Sequence, residues 1–238
     1  MSNREFTDQE LEELGKLTLD RLKEAIDAGE TEKAKALADA MYKETLQMHD
    51  MYVDWSAGFM DWIYKNHGDE ALLDAQKQVY ESFFRLSEMP DMREVPFKLR
   101  AAGSVRSLKG HQQPMKIEED DEKISITMVP CGSGERLYQK GRYDEPYNLS
   151  MVEKASPMTG GRENYPIYCT HESVIEMLAI ENLGYPITVC YPGENVAKEE
   201  GGCTFCIYKD FADIPEEVWT RVGKEKPDNL SLPLDDED

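Results

Sequence analysis

The chain has 238 residues, 48 of them Asp or Glu against 27 Lys or Arg, for a formal net charge of −21. That charge argues against a nucleic-acid partner, because phosphate binding is driven by Lys and Arg displacing counterions, and equally against an anionic membrane surface. Twenty-two aromatic residues and a clear apolar periodicity argue against wholesale disorder, and the length suffices for a real core. The acidity is distributed: residues 1–100 carry 22 acids and 13 bases, and residues 101–238 carry 26 and 14. It reads as a solubility surface, or as a guard against anionic partners.

In chain order, Thr7-Asp8-Gln9-Glu10 has the form of a capping box. Leu11, Leu14, Leu22, Ala25 and Ile26 follow at helical spacing and Gly29 ends the segment, which predicts one helix. A second helix is expected from Thr31, with Ala34, Leu37, Ala38, Met41, Tyr42, Thr45, Met48, Tyr52 and Val53 on its apolar face. It continues to Gly68, with Gly58 as a candidate interruption. Asp69 opens a third helix, Pro90 ends that pattern, and a fourth helix is expected over Phe97–Leu108.

The period then changes to two. Met115 and Ile117, then Ile124, Ile126 and Met128, alternate with polar residues around Glu119-Asp120-Asp121-Glu122, predicting a hairpin with an acidic turn. Residues 131–165 read as a long ordered loop. Strands are expected at Ile167–Cys169, Pro186–Tyr191 and Cys203–Tyr208, a helix from His171 to Leu183 capped by Thr170, and a short helix over Pro215–Val222. Residues beyond Gly223 read as a frayed acidic tail. The fold class expected is α+β: a helical region (1–110) packed on a small antiparallel sheet with helices (111–223) as one compact unit, followed by the tail (224–238).

Walker A, Rossmann, nucleophile-elbow and HExxH patterns are all absent. What remains is thiol and imidazole chemistry. All five cysteines (Cys131, Cys169, Cys190, Cys203 and Cys206) lie in the second half, an odd number in a chain that shows no export signal. Free thiols or metal ligands in a cytoplasmic, reducing setting are therefore expected. Cys169-Thr170-His171 stands where a strand passes into a helix, so the dipole should lower the Cys169 pKa. With Cys203 these two residues form a candidate zinc or other divalent transition-metal set, since thiolate and imidazole are favoured ligands. Cys203-Thr204-Phe205-Cys206 has zinc-knuckle spacing, but on a strand residues three apart face opposite ways, so only one of the two cysteines can join a site. Cys203 is chosen because Gly201-Gly202 permits close backbone approach.

Cys131-Gly132-Ser133-Gly134-Glu135-Arg136 offers a candidate nucleophile or ligand at Cys131. Gly132, Ser133 and Gly134 form a turn able to cradle an anion, and Arg136 can hold a carboxylate. His49 on the second helix and His111 after Gly110 are the candidate acid/base groups, and Tyr52 is a candidate pocket residue. Asp50 and Asp54, spaced i,i+4, form either an acid/base or metal pair or a solvated face.

The stretch Tyr168-Cys169-Thr170-His171, then Cys190, then Gly201-Gly202-Cys203-Thr204-Phe205-Cys206-Ile207, resembles the C-terminal half of the L-2-amino-thiazoline-4-carboxylate hydrolase-like family. The cysteine–strand layout is also distantly similar to vinyl-reductase-type small-molecule-binding domains, which hold a structural zinc. The resemblance implies an α+β small-molecule site with cysteine ligands or a cysteine nucleophile. The expected function is therefore a metal- or thiol-dependent enzyme, a hydrolase or lyase cleaving C–N or C–S bonds in a small organic molecule. The alternative is a non-catalytic ligand-binding or sensor domain with a structural zinc. Its expected partner is a small molecule, with neither nucleic acid nor membrane, and its long helices make a homo-oligomer a candidate state.

Overall fold

The computed structural model describes residues 5–193 and 202–230. The chain divides into two compact units, residues 1–52 and 53–238. This boundary falls inside a helix.

In the first unit, Thr7 caps α1 (Asp8–Gly15) as its sequence demands. The Glu10 amide donates to Thr7 Oγ1, and the Thr7 amide donates to the Glu10 carboxylate at 2.7 Å. The single helix expected up to Gly29 is two helices. Lys16 and Leu17 adopt extended backbone, and α2 (Thr18–Asp27) begins anew. Gly15 sits at this break; as a poor helix former it weakens the continuous pattern that the leucine spacing suggested.

Helix α3 (Thr31–Phe84) runs without interruption through Gly58 and leaves helical geometry at Gly68, where φ is 84°. The glycine conformation is the physical reason the sequence pattern changes there. In the second unit, α3 contributes Val53, Ala57, Met60 and Leu72 to a core completed by Val174, Leu178 and Ala179 of α6 (Thr170–Leu183) and by Ile167 and Leu137. Arg142 clamps the helix through a bidentate pair with Asp54 (2.9 and 2.7 Å), and Asp61 accepts from the Ser150 amide. The Asp50/Asp54 pairing is thereby corrected: each acid has its own partner, Asp50 lying 3.1 Å from His49 Nδ1.

Helix α4 (Phe97–Leu108) matches expectation, as does the hairpin of β1 (Met115–Glu119) and β2 (Lys123–Met128). Asp120 fixes its turn by accepting from the Glu122 and Lys123 amides, both at 2.8 Å. The β2 strand pairs with β6 (Thr204–Tyr208), and β6 with β5 (Val189–Tyr191), giving a four-stranded antiparallel sheet in the order β1-β2-β6-β5. The fold class is α+β.

Several boundaries shift. The glycine-rich stretch after Cys131 holds a short helix, α5 (Gly134–Gln139), and a two-stranded sheet of β3 (Met151–Val152) and β4 (Tyr165–Pro166). The strand expected at Ile167–Cys169 is thus displaced toward the N-terminus, and Ile167–Cys169 forms the turn into α6. Cys169, not Thr170, is the N-cap of α6. The short helix α7 is Glu217–Thr220. The segment after Gly223 is ordered as far as it is described: Leu230 is buried, and Lys226 Nζ donates to the carbonyls of Ala212 and Ile214, both at 2.7 Å. Residues 194–201, including Gly201, and the acidic end from 231 onward lie outside the described residues.

Candidate functional site

The alternation along β6 decides which thiols meet. Cys203, Phe205 and Ile207 join one core cluster with Leu108, Ile126, Met128, Cys131 and Cys190; Cys206 and Tyr208 join the other, with Trp219, Phe211 and Val218. The knuckle spacing therefore does not make a knuckle, as the strand period requires. Cys190 reaches the first cluster because it stands opposite Phe205 in the β5–β6 register. Gly202 makes this possible: a Cβ there would lie 1.5 Å from the Met128 carbonyl oxygen, so only glycine lets the chain enter β6 this closely beside β2.

Cys203 interacts with the Cys131 thiol on one side and the Cys190 thiol on the other. All five cysteines are free thiols. Contact with Cys203, together with burial, pushes the Cys131 thiol well up, against two opposing contributions from the amides of Ser133 and Glu135. The Cys131 amide itself donates to the buried Glu135 carboxylate at 2.9 Å. Contact with Cys203 lowers the Cys190 pKa, but burial and the nearby carboxylates of Glu172 and Glu176 outweigh it, leaving the thiol at about 11. Cys169 was expected to have a lowered pKa at the helix N-terminus. It is buried, and burial, followed by the neighbouring Cys203 and Cys131, raises its pKa instead. Desolvation of the thiolate exceeds what one helix end supplies. Its sulfur packs against Gly134, where a Cβ would come within 2.9 Å of Sγ.

Two imidazoles, His111 and His171, stand near these thiols. His111 Nδ1 lies 2.6 Å from Ser133 Oγ, which also meets the Tyr168 side chain. Gly132 lets the turn approach: a Cβ on it would fall 2.0 Å from the His111 carbonyl oxygen. Arg136 donates to that same carbonyl at 3.4 Å. The expected anion cradle is thus a glycine turn fitted beneath His111.

His171 Nδ1 meets the Tyr168 carbonyl at 2.5 Å and Nε2 meets Glu172 at 2.9 Å. Burial alone would lower the His171 pKa. The Glu172 charge and hydrogen bond, with the hydrogen bond to the Tyr168 carbonyl, outweigh it, so the imidazole is raised and Glu172 is lowered: a buried ion pair. Tyr168 and Tyr80 flank this ring. Below it, Glu176 forms a bidentate pair with Arg221 (2.9 and 2.6 Å) and accepts from the Cys190 amide, while Arg221 donates to the Cys190 carbonyl at 2.9 Å.

Of the expected metal set of Cys169, His171 and Cys203, the two cysteines are neighbours. Both ring nitrogens of His171 have protein partners, and among the described residues no group of three or more His, Cys, Asp or Glu side chains is placed to hold a metal ion. His49 and Tyr52 lie in the first unit, where Tyr52 is exposed and His49 pairs with Asp50. Glu172, Glu176 and Arg221 were not singled out from the sequence. Their signal was polar residues on α6 and just after α7, which spacing alone does not separate from a solvated face.

No family model matches the chain, and no curated protein and no solved structure is significantly similar to it. Among the described residues no helix is long and apolar enough to cross a membrane.

Proposed function

We propose that this protein is a thiol-dependent enzyme that cleaves a C–N or C–S bond in a small organic molecule, with Cys131 as nucleophile and His171 as the proton-transfer group. The observation that carries this reading is the gathering of Cys131, Cys203 and Cys190 beside the buried His171–Glu172 pair. Buried ionisable groups with shifted pKa values concentrate at functional sites, and a thiol beside an imidazolium is the usual arrangement for an activated cysteine.

In the free protein the Cys131 thiol is held protonated by Cys203 and by burial. Activation therefore requires its proton to leave as substrate enters, and the amides of Ser133 and Glu135 are placed to hold the resulting thiolate. Attack on the substrate carbon forms an S–C bond as the C–N or C–S bond breaks; the departing atom takes a proton from His171, which recovers one from the Cys131 thiol, and water then cleaves the S–C bond, its hydroxyl going to the carbon and its proton to the sulfur. Ser133, bridging His111 and Tyr168, supplies a second proton path.

The resemblance of residues 168–207 to the 2-amino-thiazoline-4-carboxylate hydrolase-like family supports the same class and names the first substrate to try. The test is turnover of 2-amino-thiazoline-4-carboxylate and of related thiazolines, amidines and thioesters by the wild type, Cys131→Ser and His171→Gln. Loss of at least about a hundredfold in both variants is expected, general acid–base groups alone contributing about 10²–10⁴. Equal turnover by Cys131→Ser overturns the assignment.

A further inference from the structure

Strand β1 stands at one end of the sheet order β1-β2-β6-β5, so among the described residues no strand pairs with its outer edge. The hydrogen bonds at the two ends of the strand fix which groups face that edge. The Asp120 amide donates to the Lys123 carbonyl at 3.0 Å, and the Val129 amide donates to the Pro114 carbonyl at 3.3 Å. In an antiparallel ladder such residues alternate with residues whose N–H and C=O both point the other way. Pro114, Lys116, Glu118 and Asp120 therefore carry the bonds to β2, and Met115, Ile117 and Glu119 turn their donors and acceptors outward. The register with β2 is continuous over all five residues of β1, so no bulge bends the edge away. Ile117 is 47% exposed, and the side chains of Lys116 and Glu118 are 66% and 60% exposed. An edge of this kind is a template for another strand.

Charge identifies the strand that fits. Lys116 and Glu118 flank Ile117 on one face of β1, their charged groups 2.9 Å apart. A peptide of one charge sign would match one of these side chains and oppose the other. A second copy of β1, laid antiparallel with Ile117 opposite Ile117, matches both: each Lys116 meets Glu118 of the other copy. In that register Met115 and Glu119 exchange two backbone bonds at each end and the two Ile117 residues exchange two at the centre, which uses every outward donor and acceptor. Sliding the second strand by one residue pair either way sets Lys116 against Lys116 or Glu118 against Glu118, and leaves outward groups of β1 unpaired. Like charges directly opposite are destabilising, so the side chains select the centred register. Ile117 stands opposite the fully buried Ile126, and its half-exposed side chain then meets its own counterpart and extends that apolar layer. The acidic turns at Asp120–Glu122 fall at opposite ends of the seam, about 14 Å or more apart at ~3.4 Å per residue, beyond the screening length of ~8 Å at physiological salt. We propose that two copies of this chain associate through β1 about a two-fold axis at Ile117, joining their four-stranded sheets into one continuous sheet.

The experiment is sedimentation velocity on the full chain over concentrations on the order of 1 to 200 µM, a span suited to micromolar affinities. The wild type is expected to pass from the 27.3 kDa chain mass to twice that value. Hydrogen exchange at the Met115, Ile117 and Glu119 amides should slow over the same range. Ile117→Pro keeps the bonds to β2, because the Ile117 N–H faces away from it and proline is tolerated at such an edge position. It removes both central bonds of the seam and should weaken the dimer at least roughly tenfold. Lys116→Glu and Glu118→Lys should each weaken it at least about fivefold, since each sets like charges opposite one another twice across the two-fold. The double variant Lys116→Glu with Glu118→Lys leaves the net charge unchanged and should restore wild-type affinity. Lys154→Glu, an exposed lysine outside the four-stranded sheet, should change affinity by less than about twofold. Circular dichroism verifies the fold of each variant; should Ile117→Pro unfold, the charge series decides alone. A wild type that stays monomeric, a folded Ile117→Pro that dimerises as tightly, a double variant no tighter than the single ones, or outward amides whose exchange ignores concentration would each overturn the proposal.

Discussion

Removing the Glu176 carboxylate tests how the thiol cluster is held. Glu176 is almost wholly buried on α6 and is engaged three times: twice by Arg221 and once by the Cys190 amide. Glu176→Ala leaves the mostly buried Arg221 guanidinium uncompensated and the Cys190 N–H unpaired. Breaking a buried pair from one side costs about 3–5 kcal/mol. For a protein of this size, each kcal/mol lowers Tm by about 2–4 °C, so a fall on the order of 10 °C is expected. Urea unfolding gives the free energy directly. The control is Glu176→Leu with Arg221→Met, which removes both charges and fills the space; it should recover most of the loss, since an apolar pair of similar volume is often neutral. The single variant should also lose turnover out of proportion to its stability, because Cys190 is positioned by this pair through both its amide and its carbonyl. A cost below about 1 kcal/mol for Glu176→Ala, or a double variant as unstable as the single, would refute the reasoning.

Gly202→Ala forces a methyl group into the Met128 carbonyl and should cost at least about 1–3 kcal/mol, read as a lower urea midpoint, with Cys203 becoming accessible to a thiol reagent. His171 should titrate above the ordinary value of about 6.5 in an NMR pH series, and Glu172→Gln should bring it down because the carboxylate charge no longer opposes burial. The sign for stability follows: a raised imidazole pKa contributes fully below about 6.5 and its contribution disappears as pH rises through the folded value, while the lowered Glu172 contributes above about 4.3 and is lost on acidification through its folded value. Wild-type stability relative to Glu172→Gln should therefore be greatest between these limits and shrink toward pH 9. Cys206→Ala, on the far face of β6, should leave turnover intact, whereas Cys203→Ala should not.

How much of this was legible in the sequence depends on the range of the interaction. Capping at Thr7, the hairpin around Asp120 and the two faces of Cys203 and Cys206 are local, and the residues state them directly. The break between α1 and α2 was hidden because Leu11–Ile26 keeps a helical rhythm across Lys16 and Leu17, where the backbone does not follow it. Helix α5 was hidden for the converse reason: Gly132, Ser133 and Gly134 read as a loop, and only the close approach to His111 and Cys169 shows that their small size serves packing. The rise in the Cys169 pKa was also out of reach, since a helix terminus is visible in a sequence and burial is not. Neighbouring His171 and Glu172 do not ordinarily face each other on a helix, so no spacing rule marks the pair that makes the site most distinctive. The start of α3 at Thr31 and the aromatic residues along it were plain, but which of them remain exposed was decided by the packing of Val53, Ala57 and Met60.

The central claim is that Cys131 is the nucleophile, and intact-mass spectrometry of acid-quenched turnover tests it most directly. With a thiazoline-type substrate, the expected result is a transient mass increase that peptide mapping places on Cys131, longer-lived in His171→Gln and absent in Cys131→Ser. Turnover without any adduct, or an adduct on another cysteine while Cys131→Ser remains active, would contradict it.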